Sequence, residues 1–109
     1  MINNAGIVIP GPFHHKKHKD WISVMDTHLF GSYKCTKAVW NIMREQGYGR
    51  IINTSSLLGL YGDKYISDYS TAKSGLNGLT MSLALEGAKR NIFTNSVAPL
   101  AKTRMTEIN

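Results

Sequence analysis

The spacing of apolar positions changes several times along this chain, and each change marks an element. From Asp20 onward, Trp21, Met25, Leu29, Tyr33, Val39, Trp40 and Met43 recur at helical spacing, which predicts one long helix. Gly47-Tyr48-Gly49 ends it, because glycine accepts the left-handed backbone that closes a helix. Arg50-Ile51-Ile52-Asn53-Thr54 is rich in β-branched residues and predicts a short strand. A second helix is expected over 68–90, with Asp68 as its cap. Residues 92–98 predict a further strand, stopped by Pro99. Ile2, ahead of Asn3-Asn4-Ala5-Gly6, reads as the end of an earlier strand. Residues 7–18, with Pro10, Gly11 and Pro12, and residues 57–67, with Gly59 and Gly62, predict loops.

Strand, helix, strand, helix and strand at this spacing imply right-handed crossovers and a parallel sheet, hence an α/β fold. A parallel sheet is normally covered on both faces, and two helices over three strands make a thin layer. The expected architecture is therefore the C-terminal part of a doubly wound, Rossmann-like domain, with residues 1–109 as a single partial domain. Alone, such a chain is expected to expose a strand edge and a poorly covered apolar face, and to be marginally stable.

The length of 109 residues suits one small domain but is short for an enzyme that binds a large cofactor. Hydrophobic residues at 42% and charged residues at 18% describe an ordinary globular chain. No apolar run approaches the ~18 residues of a membrane span, so no membrane partner is expected. The start, Met1-Ile2-Asn3-Asn4, lacks the basic and apolar segments of a signal peptide. The single cysteine, Cys35, excludes an intramolecular disulfide, fits a reducing compartment, and lies in the apolar helical pattern as expected core filler. Trp21, Trp40 and the methionines are read as packing residues.

The net charge of +6 raises the question of anionic partners, and much of the excess lies in His14-His15-Lys16-Lys17-His18-Lys19. This run is expected to be a solvated loop and helix start. His14 and His18 have a spacing that suits metal on a helix, but the lysines between them repel a cation, so no metal is expected. No nucleic-acid-binding motif accompanies the run, and nucleic acid is not an expected partner. Attraction of a ligand's phosphate groups is compatible with it.

The candidate chemistry lies in Asp68-Tyr69-Ser70-Thr71-Ala72-Lys73 together with Ser56. Positions four apart share a helical face, so the Lys73 ammonium is expected beside the Tyr69 ring. A neighbouring cation favours a phenolate and brings a phenol closer to proton exchange near neutral pH. Ser56 follows the predicted strand, where its hydroxyl is placed to bind a substrate oxygen. A Tyr…Lys pair at this spacing is by itself an ordinary solvated helix pair. The upstream serine and its context are what raise it above that.

In that context the chain resembles the short-chain dehydrogenase/reductase family over nearly its whole length. The resemblance rests on Asn3-Asn4-Ala5-Gly6, on Thr54-Ser55-Ser56 with Tyr69-x-x-x-Lys73, and on Asn95-Ser96-Val97-Ala98-Pro99. Within the family it is most similar to the (3R)-hydroxyacyl-CoA dehydrogenase domains of peroxisomal multifunctional β-oxidation enzymes. The segments Tyr48-Gly49-Arg50-Ile51-Ile52, Gly59-Leu60-Tyr61-Gly62 and Leu85-Glu86-Gly87-Ala88-Lys89 carry that likeness. The resemblance implies Ser56, Tyr69 and Lys73 as catalytic residues and Asn4, Tyr69, Lys73, Pro99 and Thr103 as cofactor-binding residues. It further implies NAD as cofactor with NADP as an alternative, a 3-hydroxyacyl-CoA substrate, a homodimer formed through the two long helices, and a peroxisomal or cytoplasmic location.

Three departures qualify the likeness. The family's glycine-rich TGxxxGxG loop, which binds the dinucleotide pyrophosphate, precedes N-N-A-G and is not in this sequence. A truncated, non-catalytic chain or a pairing module is the competing reading on that ground. His28 stands on the first helix where many members carry a catalytic Asn, and it reads as a hydrogen-bonded core histidine. Gly62-Asp63-Lys64-Tyr65-Ile66-Ser67-Asp68 departs from the family's usual loop before the tyrosine, which bears on the substrate side.

Overall fold

The computed structural model describes residues 1–3, 6–56 and 61–98. Strand β1 is Ile2–Asn3, and a 3₁₀ turn follows at Phe13–His15. A single helical rod then runs through α1, His18–Met25, a π-helical turn, Asp26–Phe30, and α2, Gly31–Gln46. Strand β2 is Gly49–Thr54, α3 is Ser67–Gly87 with a 3₁₀ turn at Ala88–Arg90, and β3 is Ile92–Val97. The strands lie in the order β1-β2-β3 and all pair in parallel. The predicted strands and helices are present, and the α/β parallel architecture holds; of the loop expected over 57–67, residues 57–60 lie outside the described residues.

The first helix differs from the expectation in its phase. Val24, His28, Ser32 and Thr36 are its buried residues, at a strict spacing of four. At 3.6 residues per turn such a line drifts by about 120° over twelve residues. The π turn absorbs the drift by taking one extra residue: the Gly31 N–H reaches back five residues to the Asp26 carbonyl. The face so aligned is not the one the apolar pattern predicts. Tyr33 is 48% exposed, and Cys35, expected in the core, is an exposed free thiol. Met81 is likewise exposed rather than packed.

Gly47 ends α2 as predicted, with φ at +67°. Its N–H bonds to the Arg44 carbonyl and the Tyr48 N–H to the Met43 carbonyl, the paired bonds of a left-handed helix stop. The start of α3 is not as predicted. The helix begins one residue earlier, at Ser67, with Ile66 at the cap position and no side-chain cap bond. Asp68 lies inside the first turn, fully buried, and takes another role described below.

Both long helices cover the same face of the sheet, as two right-handed crossovers moving in one direction require. A chain of polar side chains marks that face across all three strands. The Asn3 amide donates to the Asn53 Oδ1 at 2.7 Å, and the Asn53 amide donates to Thr80 Oγ1 on α3 at 2.9 Å. Ser96 on β3 donates to the same Thr80 oxygen at 3.2 Å. Thr80 spends its own proton on the Leu76 carbonyl at 2.8 Å, so the buried groups of this chain are satisfied in sequence. Ile51, Leu76 and Ile92 pack around it without exposure above 1%. A second cluster, Val24, Ile66, Tyr69 and Ala72, with Val8, Ile9, Met25 and Leu29 against it, joins the start of α3 to α1. Among the described residues nothing covers the other face of the sheet, and Ile2, Phe93 and Val97 are exposed there.

Candidate active site

The carboxyl ends of the strands and the first turns of α3 converge at Lys73. Its ammonium donates to the Thr54 carbonyl, the last residue of β2, at 2.7 Å. The same nitrogen lies 5.8 Å from the centroid of the Tyr69 ring, the neighbour one helical turn back. Lys73 is only 5% exposed, and burial lowers its pKa from the usual lysine range by disfavouring the charged form. An ammonium has three donors, so it can serve the Thr54 carbonyl and a further oxygen, such as a ribose hydroxyl, at once.

Ser56 follows β2 by two residues and is half-buried. The pairing of β2 with β3 continues just ahead of it, where the Ser55 N–H donates to the Val97 carbonyl at 2.7 Å. Because Lys73 is tied to Thr54, Ser56 and the Tyr69–Lys73 turn belong to the same end of the sheet. Open parallel sheets place ligand sites at this end. Asn4, Pro99 and Thr103, expected at the cofactor, lie outside the described residues.

His28 completes the buried surroundings of Tyr69. It is 3% exposed, and its ring meets the Tyr69 ring edge to face, with centroids 4.9 Å apart and planes at 86°. The π turn places it there, and Nε2 faces both main-chain groups of Ile7. Unprotonated, that nitrogen accepts the Ile7 N–H at 2.9 Å; protonated, it donates to the Ile7 carbonyl. The expectation of a hydrogen-bonded core histidine is met. Desolvation lowers its pKa and Lys73 adds to the lowering, against the Ile7 hydrogen bond and Asp68, which raise it. Gly6 makes room for the ring: a Cβ at that position would lie 2.4 Å from His28 Cε1.

The sequence reading missed the partners of Asp68. Lys16, expected in a solvated run, reaches inward and meets Asp68 at 3.0 Å, with side-chain exposures of 4% and 0%. Asp68 also accepts the Tyr69 N–H at 2.8 Å. Nothing in the local pattern of the basic run separates Lys16 from its neighbours. Nor did the sequence mark Asp68, which stands where an ordinary helix cap would. Lys17, His18 and Lys19 stay exposed as expected.

The arrangement offers a phenol framed by a buried ammonium and a buried imidazole. That chemistry can pass a proton to or from an alcohol oxygen, and the lysine adds donors for hydroxyls of a bound nucleotide. A model of the short chain dehydrogenase family matches residues 1–109. The chain is 52% identical over 107 residues to a peroxisomal hydratase-dehydrogenase-epimerase of Saccharomyces cerevisiae, covering 98% of this chain and 12% of the yeast protein. It is 42% identical over 99 residues to an acetoacetyl-CoA reductase of Paracoccus denitrificans, covering 91% of this chain and 41% of that one. A gluconate 5-dehydrogenase from Burkholderia cenocepacia J2315, solved with NADP and tartrate, superposes with a TM-score of 0.87 at 31% identity. That match covers 90% of this chain and 38% of the other. The chain thus spans less than half the length of each of these relatives.

Proposed function

The chain belongs to the short chain dehydrogenase family, and from that premise we propose that it supplies the catalytic part of an oxidoreductase. The reaction is hydride transfer between NAD(P) and the 3-hydroxy or 3-keto group of an acyl-CoA. The observation that carries this reading is the Lys73 ammonium, buried, bonded to the end of β2 and 5.8 Å from the Tyr69 ring centroid. In the oxidative direction Tyr69 takes the proton of the substrate hydroxyl while Ser56 orients the oxygen. Lys73 supports the charge on Tyr69 and binds the ribose. Asn4, Pro99 and Thr103 complete the cofactor side. The nicotinamide supplies the hydride chemistry, and this chain supplies orientation and the proton path.

The similarity to an acetoacetyl-CoA reductase supports a CoA thioester as substrate, and the similarity to the yeast protein supports a peroxisomal location; the role we propose for the reaction is fatty acid β-oxidation. The test is an assay of the full-length protein with 3-hydroxyacyl-CoA thioesters, steroid alcohols and sugar alcohols, each with NAD and with NADP. Nicotinamide reduction confined to the thioesters is the expected result. Turnover of sugars or steroids alone overturns the substrate class, and no turnover of any alcohol overturns the enzyme reading.

A second reading, a pairing module without catalysis, is favoured by the outward faces of the helices. A groove between α2 and α3 is lined by Tyr33, Trp40, Leu79 and Leu83, and Met81 and Leu85 stand exposed on α3. In the enzyme reading the same faces form a homodimer. Light scattering on the full-length protein and on a Leu83→Glu variant tests it, with a dimer for the first and a monomer for the second.

A further inference from the structure

Neither Lys16 nor Asp68 takes part in the proton exchange proposed above, yet the pair is buried beside it. Lysine and aspartate are rarely buried to this depth unless their charges meet, and here they do at 3.0 Å. Lys16 Nζ also donates to the Ile9 carbonyl at 2.8 Å, which closes its own loop. Asp68 Oδ1 accepts from Lys16 and from the Tyr69 N–H. A main-chain bond from the Gly11 N–H to the Tyr65 carbonyl, 2.8 Å, joins the same two segments nearby. The loop after β1 is therefore fastened to the start of α3 twice, once without any charge.

A buried ion pair is a poor choice where fastening alone is needed. A neutral or apolar pair of similar volume holds as well or better, whereas loss of one charged partner leaves the other unbalanced. What distinguishes the pair is its charge, and that charge sits one residue before Tyr69. The charged or titratable groups around Tyr69, among the described residues, are Lys73 and Asp68 on α3, His28 on the π turn, and Lys16 behind Asp68.

We propose that Lys16 is a positioning residue that acts on Tyr69 through Asp68. Its ammonium balances the Asp68 carboxylate, so that the phenol exchanges its proton in a field set by Lys73. Without Lys16, the unbalanced Asp68 anion, bonded to the Tyr69 main chain, opposes a phenolate on that residue; without Asp68, the Lys16 cation favours one. The kinetic form of this inference rests on the dehydrogenase reading, while its electrostatic form does not.

The test uses the full-length protein with Lys16→Met, Asp68→Asn, the double variant and Lys16→Arg. The rising limb of the pH profile for alcohol oxidation is expected to move up by about one pH unit in Lys16→Met and down in Asp68→Asn. It returns to the parent position in the double variant and stays there in Lys16→Arg. A mere fastening lowers thermal stability in the single variants and leaves the limb in place, and that outcome overturns the proposal. Should Lys16→Met fail to fold, Asp68→Asn and the double variant carry the comparison.

A second readout needs no turnover: NMR titration of the His28 ring, whose protonation the Asp68 charge favours. Its midpoint is expected to rise in Lys16→Met and to fall in Asp68→Asn. Shifted His28 midpoints in a protein with no nicotinamide-dependent turnover would sink the dehydrogenase reading and keep the charge balance. Normal turnover with both readouts unmoved would do the reverse.

Discussion

His28 and Tyr69 meet edge to face, with ring centroids 4.9 Å apart, although 41 positions separate them in the sequence. The contact holds the Tyr69 ring by its carbon framework, so removal of the hydroxyl alone should leave the ring where it is. Tyr69→Phe is accordingly expected to keep the fold, within about 1 kcal/mol of the parent stability, and to lower turnover of the full-length protein by about two to four orders of magnitude, the usual loss when a general acid-base group is removed. Circular dichroism and steady-state kinetics on the same preparation check both halves. Near-normal turnover would remove Tyr69 from the chemistry.

Stability should fall as the medium becomes mildly acidic, through His28. Burial lowers its pKa in the folded protein below the ordinary value near 6.5. Above that value the ring is neutral in both states and contributes no pH dependence. As pH falls through it, the unfolded chain takes up the proton first and stability declines, until the folded value is reached and the loss is complete. Denaturant titrations of the full-length protein from pH 7.5 to 5 should show this decline, and His28→Gln should flatten it. An unchanged slope in the variant would assign the acid sensitivity elsewhere.

Gly6→Ala probes the packing under the same ring. A methyl group there would stand 2.4 Å from His28 Cε1, closer than any real contact, and the ring is trapped between Ile7 and Tyr69. The substitution is expected to cost about 1–3 kcal/mol, the usual range for overpacking a closed site. It should also disturb activity, because the displaced ring pushes on Tyr69. In a His28→Ala background, where the space is open, the methyl group should add little to the cost of losing the ring. Thermal unfolding of the three proteins decides this, and an additive loss would show that the clash lies elsewhere.

The 109 residues expressed alone should behave poorly. Strand β1 holds two residues at the sheet edge, and Ile2, Phe93 and Val97 are exposed on the side of the sheet away from the helices. Exposed strand edges and apolar patches recruit other chains. Size-exclusion chromatography is expected to show oligomers or aggregate, and calorimetric titration of any soluble fraction with NAD or NADP should show no binding. Micromolar binding of either nucleotide would reveal a site independent of a glycine-rich loop.

Local pattern carried much of this protein. The β-branched run 50–54, the segment 92–98 before Pro99, and Gly47 at φ +67° are dictated by near neighbours, so the strands and the helix stop were legible from residue order. Tyr69 and Lys73 were legible for the same reason, since a spacing of four on a helix fixes their contact without reference to the rest of the chain. What tertiary structure alone decided involves partners far apart in sequence. The π turn rotated α2, turned Tyr33 and Cys35 outward and buried His28, Ser32 and Thr36, because the helix had to keep one line of residues against the sheet and α3. Lys16 looked like any cation of its basic run, and Asp68 looked like a helix cap. Their pairing arises only when the loop after β1 folds onto α3, and no periodicity within either segment encodes it. Short-range order thus set the elements and the reactive pair, while long-range contacts set the charges and the ring that surround it.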